Sequence, residues 1–162
     1  MNYIIRRAKP EDLDEIIILY EKLSNNMAEL QQKFINIPKK NLDYCNENKK
    51  NYFRTILNSN NNAIFVAQVE NQIAGFIQTS INEKDFDFYL DKYCYIPYYY
   101  VEKIYRNFSL NINLYKEAEK WAYEKKLQYI CSDVDGGNDT SLTIQEKFCG
   151  MKPFKIRLMK QL

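Results

Sequence analysis

Hydrophobic residues recur every three or four positions in several stretches of the chain, and this spacing predicts helices. In the first stretch, Asp12–Leu23, acidic residues occupy most positions between the apolar ones, so one face is polar. Pro10 precedes this stretch and Pro38 follows a second one, which are positions where proline starts or terminates a helix. The predicted helices are Asp12–Leu23, Met27–Ile37, Asn48–Leu57, Leu110–Lys126 and Thr140–Phe148.

Runs of β-branched and aromatic residues predict strands between these helices. Two of the runs are separated only by Asn71, which predicts an antiparallel hairpin. Gly75 inside the second run indicates a bulge or a close approach of another segment, and Pro97 requires a strand edge, a strand start or a bulge. The predicted strands are Tyr3–Arg7, Ala63–Glu70, Gln72–Ile81, Tyr95–Glu102, Leu127–Val134 and Phe154–Met159. A mixed sheet covered by helices on both faces is the simplest packing of this α/β order.

Composition limits the class of protein. The chain has 162 residues, of which 46% are hydrophobic, so we expect one compact domain over residues 1–162. A net charge of +2 is too balanced for a protein that mainly grips a nucleic-acid backbone. No apolar run approaches the roughly 18 residues of a membrane span, and the N-terminus lacks a secretory signal pattern. We therefore expect a cytoplasmic protein with no nucleic-acid or membrane partner.

The residue types present also limit the chemistry. The sequence contains no histidine, which excludes Ser-His-Asp and Cys-His catalysis and imidazole metal ligands. Four cysteines are scattered without a C-x-x-C pair, so neither a zinc site nor a disulfide framework is encoded. We expect no metal, and we interpret the cysteines as small buried hydrophobic residues.

The segment Val101–Arg106, with sequence VEKIYR, begins a pattern that resembles the acyl-CoA loop of the GNAT superfamily of N-acetyltransferases. That family has V-x-x-x-x-[RQ]-x-x-G-x-[GA], and the order of predicted elements along the whole chain is similar as well. The resemblance implies a mixed, mostly antiparallel central sheet with helices on both faces. It also implies acetyl-CoA as a co-substrate and a primary amine as the acceptor.

The physical basis of the loop is anion binding. Acetyl-CoA carries a pyrophosphate, and free backbone N–H groups at a helix start, aided by the helix dipole, bind such a group. The two glycine positions of the pattern hold Ser109 and Asn111, which can cap the helix or donate hydrogen bonds themselves. An ordinary capped helix with solvated basic residues is the alternative. The resemblance implies that cofactor binding involves Tyr99, Tyr100, Val101, Arg106, Asn107, Phe108, Ser109, Leu110, Asn111, Ile112 and Asn138.

Two carboxylates are candidates for the base that removes the amine proton. Asp133, at the end of a predicted strand, is the first candidate and Glu102 the second. A turn-forming or solvated role is the alternative for Asp133. Similar enzymes often place a tyrosine seven residues after the asparagine, but here Gln145 or Glu146 stands at that point. The sequence thus predicts a slow or divergent catalyst.

Other functions remain open. A catalytically weak or inactive acyl-CoA sensor, or an interaction protein of the same fold, is the alternative hypothesis. Aromatic residues crowd the segment before and within the strand at Tyr95, where they would form an acceptor cleft, the interface of a homodimer or a densely packed local core. These residues are Phe86, Phe88, Tyr89, Tyr93, Tyr95 and Tyr98.

Overall fold

The computed structural model describes residues 2–33, 42–85, 90–106 and 108–156. Its helices and strands alternate along the chain in a mixed α/β order. In chain order they are β1 (Ile4–Arg7), α1 (Leu13–Gln32), α2 (Leu42–Leu57), β2 (Asn62–Val69), β3 (Gln72–Asp85), β4 (Leu90–Ile96), β5 (Tyr99–Val101), α3 (Phe108–Glu124), β6 (Ile130–Ser132) and α4 (Asp139–Phe148).

The strands form one mixed sheet in the order β1-β2-β3-β4-β6, with β5 paired to β3 beside this path. All pairings are antiparallel except that of β4 with β6. The predicted hairpin is confirmed as β2 and β3, and a register shift lies between Ala67 and Gln68. The fold class is therefore the predicted one.

Helices cover both faces of this sheet. Alternating side chains of β2 point to opposite faces, and since both sets are apolar, each face needs a covering layer. Ile64 and Val66 pack with α1 and α2, whereas Phe65 and Ala67 pack with α3. On the α1 and α2 face, Phe53 is completely buried. On the other face the predicted apolar stripe of α3 is buried at Leu110, Leu114, Ala118, Trp121 and Ala122.

A partly buried ion pair joins β1 to the start of α1. The two terminal nitrogens of Arg6 donate to Asp12 at 2.7 and 2.8 Å, and the Lys9 backbone N–H donates to the same carboxylate at 2.7 Å. These hydrogen bonds favour the charged form, the largest effect being that of Arg6, and they lower the pKa of Asp12.

Four helix predictions were wrong in their bounds. Asp12–Leu23 and Met27–Ile37 were predicted as separate helices, but α1 is continuous through Ser24 and Asn25 up to Gln32. Leu23, Met27 and Leu30 continue the apolar side of the helix at helical spacing, and their packing outweighs the low helix propensity of serine and asparagine. Residues 34–37 lie outside the described residues. The helix predicted from Asn48 begins earlier, at Leu42, and α3 begins at Phe108 rather than Leu110.

Three strand predictions also need correction. The strand Tyr95–Glu102 is divided at Pro97 and Tyr98, and its first part begins earlier, at Leu90. The strand Leu127–Val134 is reduced to β6, because Leu127 completes the end of α3 by donating its N–H to the Ala122 carbonyl. Residues 154–156 form no strand, with Phe154 and Ile156 63% and 83% exposed, and 157–159 lie outside the described residues.

No helix in the described ranges has the length and apolar character that a membrane crossing requires.

Candidate active site

The interruption at Pro97 divides the sheet at one end. Before it, β4 pairs with β6, and after it, β5 pairs with β3 alone among the described strands. A narrow cleft of about 60 Å³ lies at this divergence, with room for only a few water molecules. Its lining comes from α1, the β4–β5 junction, α3, β6 and α4: Leu23, Met27, Ile96, Pro97, Tyr99, Tyr115, Ser132, Asp133, Val134, Asp135, Asn138, Ser141 and Gln145.

The backbone of β5 presents hydrogen-bonding groups toward this divergence. The Gln78 N–H donates to the Tyr98 carbonyl, and the Glu102 N–H donates to the Ala74 carbonyl, each at 2.8 Å. These bonds fix the phase of the antiparallel ladder, so that residues 98, 100 and 102 direct their polar backbone groups toward β3. The intervening residues, Tyr99 and Val101, direct theirs to the opposite edge. One backbone edge of β5 therefore faces away from β3, and no described strand pairs with that edge.

The start of α3 accommodates side chains at the two glycine positions. Asn111 is 7% exposed, and its Oδ1 accepts a hydrogen bond of 2.6 Å from the Tyr99 hydroxyl. Leu110 is fully buried, Ile112 is half-buried and Ser109 is exposed. Because Asn111 turns inward, its side chain does not cover the helix start. Asn107 lies outside the described residues, as does the side chain of Phe108.

Arg106 is held against β5. Its Nε donates to the Val101 carbonyl at 2.8 Å, and its guanidinium carbon lies 5.5 Å from the centre of the Tyr100 ring. This pair of contacts fixes the base of the guanidinium group while the residue as a whole stays exposed. The terminal nitrogens therefore provide a positive charge beside the start of α3.

The two candidate bases lie in different surroundings. Asp133 follows β6 directly, lines the cleft and accepts a hydrogen bond of 2.7 Å from the Tyr95 hydroxyl. Burial, and then this carboxylate, raise the pKa of Tyr95, so its hydroxyl stays protonated and donates.

Glu102 follows β5 and lies outside the lining of the cleft. It forms an ion pair with Lys22 of α1, whose ammonium group donates a hydrogen bond to the carboxylate, and this bond raises the pKa of Lys22. The Tyr100 hydroxyl donates to the same carboxylate at 3.4 Å. The structure therefore brings Asp133 into the cleft together with Tyr99 and Asn138 but does not bring Glu102 there.

Asn138 has a structural role at the beginning of α4. Its side-chain oxygen caps the helix by accepting from the Ser141 N–H at 3.2 Å. Seven residues later, Gln145 is buried and lines the cleft, whereas Glu146 is exposed. Of the two candidates, Gln145 is therefore the residue that occupies the position where similar enzymes often have a tyrosine.

Gln145 has partners on both sides of its amide group. Its Oε1 accepts from the Ser132 hydroxyl, and its Nε2 donates to the Ser141 Oγ at 3.2 Å. Both hydroxyl groups belong to residues that line the cleft.

Sequence reasoning missed several residues of this cleft. Leu23 and Met27 were missed because the first helix was ended too early, and the bond from Gln31 to Asp135, 3.0 Å long, could not be foreseen. The four-residue spacing of Ser141 and Gln145 on a predicted helix was an available signal.

Cys94 and Cys149 are unsuited to act as nucleophiles. Burial raises the pKa of the Cys94 thiol to about 12 and that of Cys149 to about 11, so both are protonated near neutral pH. Cys131 is half-buried, and the side chain of Cys45 lies outside the described residues.

A larger cavity, of about 330 Å³, lies between α3 and the segment after α4. It is lined by Tyr115, Glu119, Tyr123, Cys149 and Met151 among others, and it includes none of the residues that the sequence assigned to catalysis or cofactor binding. The smaller cleft is the candidate site because the divergent strands, Asp133 and Asn138 meet there.

A model of the acetyltransferase (GNAT) family matches residues 27–151, which is most of the chain. The chain belongs to the GNAT acetyltransferase family. Membership confirms the resemblance seen in the sequence and supports acetyl transfer from acetyl-CoA as the general reaction. No curated protein matches the sequence significantly.

Solved structures have the same GNAT fold at low sequence identity. AAC(6')-Iy, in complex with the bisubstrate analog CoA-S-monomethyl-acetylneamine, is 15% identical with a TM-score of 0.77, covering 100% of this chain and 99% of that one. An aminoglycoside acetyltransferase from an uncultured soil metagenomic sample, in complex with sisomicin, is 20% identical with a TM-score of 0.68, covering 99% and 96%. The tetramutant of the BH1408 protein from Bacillus halodurans is 16% identical with a TM-score of 0.79, covering 98% and 99%.

Proposed function

We propose that this GNAT protein is an N-acetyltransferase that transfers the acetyl group of acetyl-CoA directly to a primary amine while both substrates are bound. The observation that carries the proposal is the divergence of β5 from β6. It leaves the backbone groups of Tyr99 and the N–H of Val101 directed away from β3, where no described strand pairs with them, while the Val101 carbonyl accepts from Arg106. An arm that contains amide groups can satisfy such groups as an added strand would.

The residues present fit acetyl-CoA as the acyl donor. The backbone N–H groups of Tyr99 and Val101 would hold the pantetheine arm. The N-terminal turn of α3, from Phe108 to Asn111, would hold the pyrophosphate with the positive charge of Arg106. When bound, acetyl-CoA supplies an activated acyl group as a thioester.

Asp133 is the proposed base. It lies in the cleft, where it can accept a proton from the ammonium form of the acceptor, and the Tyr95 hydroxyl fixes its carboxylate at 2.7 Å. Only the neutral amine has the lone pair that attacks the acyl carbon. Glu102 is not retained as the base because Lys22 pairs with it away from the cleft.

The acceptor is proposed to be a cationic amine. Asp133 and Asp135 both line the cleft, so their carboxylates favour a positively charged ligand. Two of the structural neighbours are aminoglycoside acetyltransferases, which makes aminoglycosides the first acceptors to test, followed by polyamines and peptide amino termini.

A thiol-release assay with acetyl-CoA and this amine panel tests the proposal. We expect release of free CoA that depends on the amine and is strongly reduced in Asp133→Asn. Lack of turnover with every amine, combined with a raised Tm in acetyl-CoA, would favour an acyl-CoA sensor. Gln145 is the observation that favours this second candidate, because it provides no acidic hydroxyl for the leaving thiolate.

A further inference from the structure

We propose that the Ser141 hydroxyl donates a hydrogen bond to the sulfur atom that leaves during acetyl transfer, and that Gln145 and Ser132 orient this hydroxyl. The inference rests on the proposed function and adds to it a residue for the departure of CoA. Gln145 and Ser132 are positioning residues in this scheme, and Ser141 is the catalytic one.

The three side chains form a hydrogen-bonded series with a direction. The Ser132 hydroxyl donates to Gln145 Oε1, and Gln145 Nε2 donates to Ser141 Oγ at 3.2 Å. Because Ser141 oxygen is the acceptor in the last bond, its own proton is left to donate. Each bond in such a series polarises the next, which strengthens the final donor.

Burial of Gln145 holds its amide group between the two serine hydroxyls. The residue is 7% exposed, and both ends of its amide group have a partner. In the orientation that the structure records, the amide oxygen faces the Ser132 hydroxyl and the amide nitrogen faces Ser141 Oγ. Ser141 Oγ therefore already accepts a hydrogen bond from Gln145 Nε2.

The end of the series lies in the cleft beside the proposed base. Ser132, Ser141 and Gln145 all line the same cleft as Asp133. Ser141 also belongs to the first turn of α4, after the Asn138 cap, where the unpaired N–H groups of the helix give a partial positive charge. Both features favour a negative charge near the Ser141 hydroxyl.

The other hydroxyl groups of the cleft are already committed to acceptors. The Tyr99 hydroxyl donates to Asn111, the Tyr115 hydroxyl to the Met151 sulfur, and the Ser132 hydroxyl to Gln145. Among the described lining residues, Ser141 is the hydroxyl for which the structure records an incoming hydrogen bond but no outgoing one.

The reaction balances with this role. The amine nitrogen forms a bond to the acyl carbon, the carbon–sulfur bond breaks, and its electron pair passes to sulfur. The proton of the amine goes to Asp133 or to water, and the thiolate later gains a proton from water. A free thiol has a pKa of about 8.5, far below that of an alcohol, so Ser141 keeps its proton and acts through its hydrogen bond.

The test compares Ser141→Ala and Gln145→Leu with wild type, using Thr143→Ala as the control on the exposed side of α4. We expect kcat to fall tenfold to a hundredfold in Ser141→Ala, as for loss of one hydrogen bond to a charged group, with little change in KM for acetyl-CoA. Ser141→Thr, which retains the hydroxyl, should keep most of the wild-type kcat. Gln145→Leu gives a smaller loss of the same kind.

A second readout does not depend on turnover. Coenzyme A itself is bound to each variant, and its thiolate is followed by ultraviolet absorbance as the pH is raised. A donor to sulfur stabilises the thiolate, so the bound thiol should ionise at lower pH in wild type and Thr143→Ala than in Ser141→Ala. We expect on the order of tenfold more thiolate at a given pH below the transition.

The outcomes separate the two proposals. Equal kcat and equal thiol titration in wild type and Ser141→Ala, with both folded by thermal melting, overturn the role of Ser141 and leave the proposed function intact. A second outcome is that wild type transfers no acetyl group, yet the thiol of bound CoA still ionises at lower pH in wild type than in Ser141→Ala. This result would reject the transferase proposal and retain the proposed hydrogen bond from Ser141 to sulfur. Absence of CoA binding to wild type overturns both.

Discussion

Gly75→Ala would displace the strand that forms one side of the cleft. Gly75 of β3 lies opposite Val101 of β5. A Cβ atom at this position would lie 2.7 Å from the Tyr100 carbonyl oxygen and 3.1 Å from the Val101 Cα. Val101 Cγ2 would lie 2.9 Å away as well, and rotation of the valine side chain can relieve that contact. No side-chain rotation relieves the two backbone contacts, so β5 itself must move away.

The structure sets the expected magnitude. Carbon contacts are most favourable at about 3.5–4.0 Å, so relief requires a shift of several tenths of an ångström. Overpacking of this kind costs about 2 kcal/mol, which lowers the Tm of a chain of this size by roughly 4–8 °C. Displacement of the Tyr99 and Val101 N–H groups should also weaken acetyl-CoA binding on the order of tenfold, equivalent to about one hydrogen bond.

Thermal melting and acetyl-CoA titration measure the two effects. Gly136→Ala is the matched control, because a Cβ there meets no atom within 4 Å. We expect the control to melt and bind like wild type. If Gly75→Ala also matched wild type in both Tm and affinity, the conclusion that this close approach sets the position of β5 would be refuted.

Three further predictions concern charge and orientation. Asp12→Asn should destabilise the protein at pH 7 by about 2 kcal/mol in urea unfolding, because Arg6 loses its buried partner. A carboxyl whose folded pKa is lowered stabilises the fold above its unfolded pKa of about 3.9. That stability is lost as pH falls through the folded value, so wild type and variant should converge in acid. Arg106→Gln should raise KM for acetyl-CoA on the order of tenfold with little change in kcat, since the charge beside α3 is lost. Tyr95→Phe should lower kcat several-fold in the thiol-release assay, because Asp133 loses its 2.7 Å hydrogen bond.

Controls distinguish these effects from general damage. Lys120→Gln removes an exposed charge from α3 away from its N-terminus, and Tyr93→Phe removes a hydroxyl two residues before Tyr95 on β4. Both should behave like wild type. A uniform stability difference for Asp12→Asn at every pH, or equal kinetics for either active-site variant and its control, would contradict the corresponding prediction.

The parts of the fold that the sequence predicts are those fixed by neighbouring residues. The β2–β3 hairpin follows from two apolar runs around Asn71, and the buried face of α3 follows from the spacing of Leu110, Leu114 and Ala118. Gly75 indicated a bulge or a close approach, and β5 does approach β3 there, while Pro97 indicated an irregular position in its strand, and the break between β4 and β5 lies there. Both predictions were possible because glycine and proline are uncommon within strands.

The parts that were missed depend on contacts between distant segments. The continuity of α1 is decided by packing against the sheet rather than by the propensity of Ser24 and Asn25. Likewise, Tyr99 turns Asn111 inward, and Tyr95 orients Asp133, through bonds between residues 12 and 38 positions apart. Such pairings require the fold before they can be recognised.

The weak attachment of β6 has a consequence for substrate size. Three residue pairs, from Cys94 with Ile130 to Ile96 with Ser132, connect it to β4. Asp133 follows immediately, so the wall of the cleft that carries the proposed base belongs to a segment with few ladder pairs to break. Backbone amide hydrogens should therefore exchange faster at Ile130–Ser132 than in β2 or β3. Their exchange rate should decrease when a ligand binds in the cleft. We expect local opening of this segment to widen the gap of about 60 Å³ and so to admit bulkier acceptors.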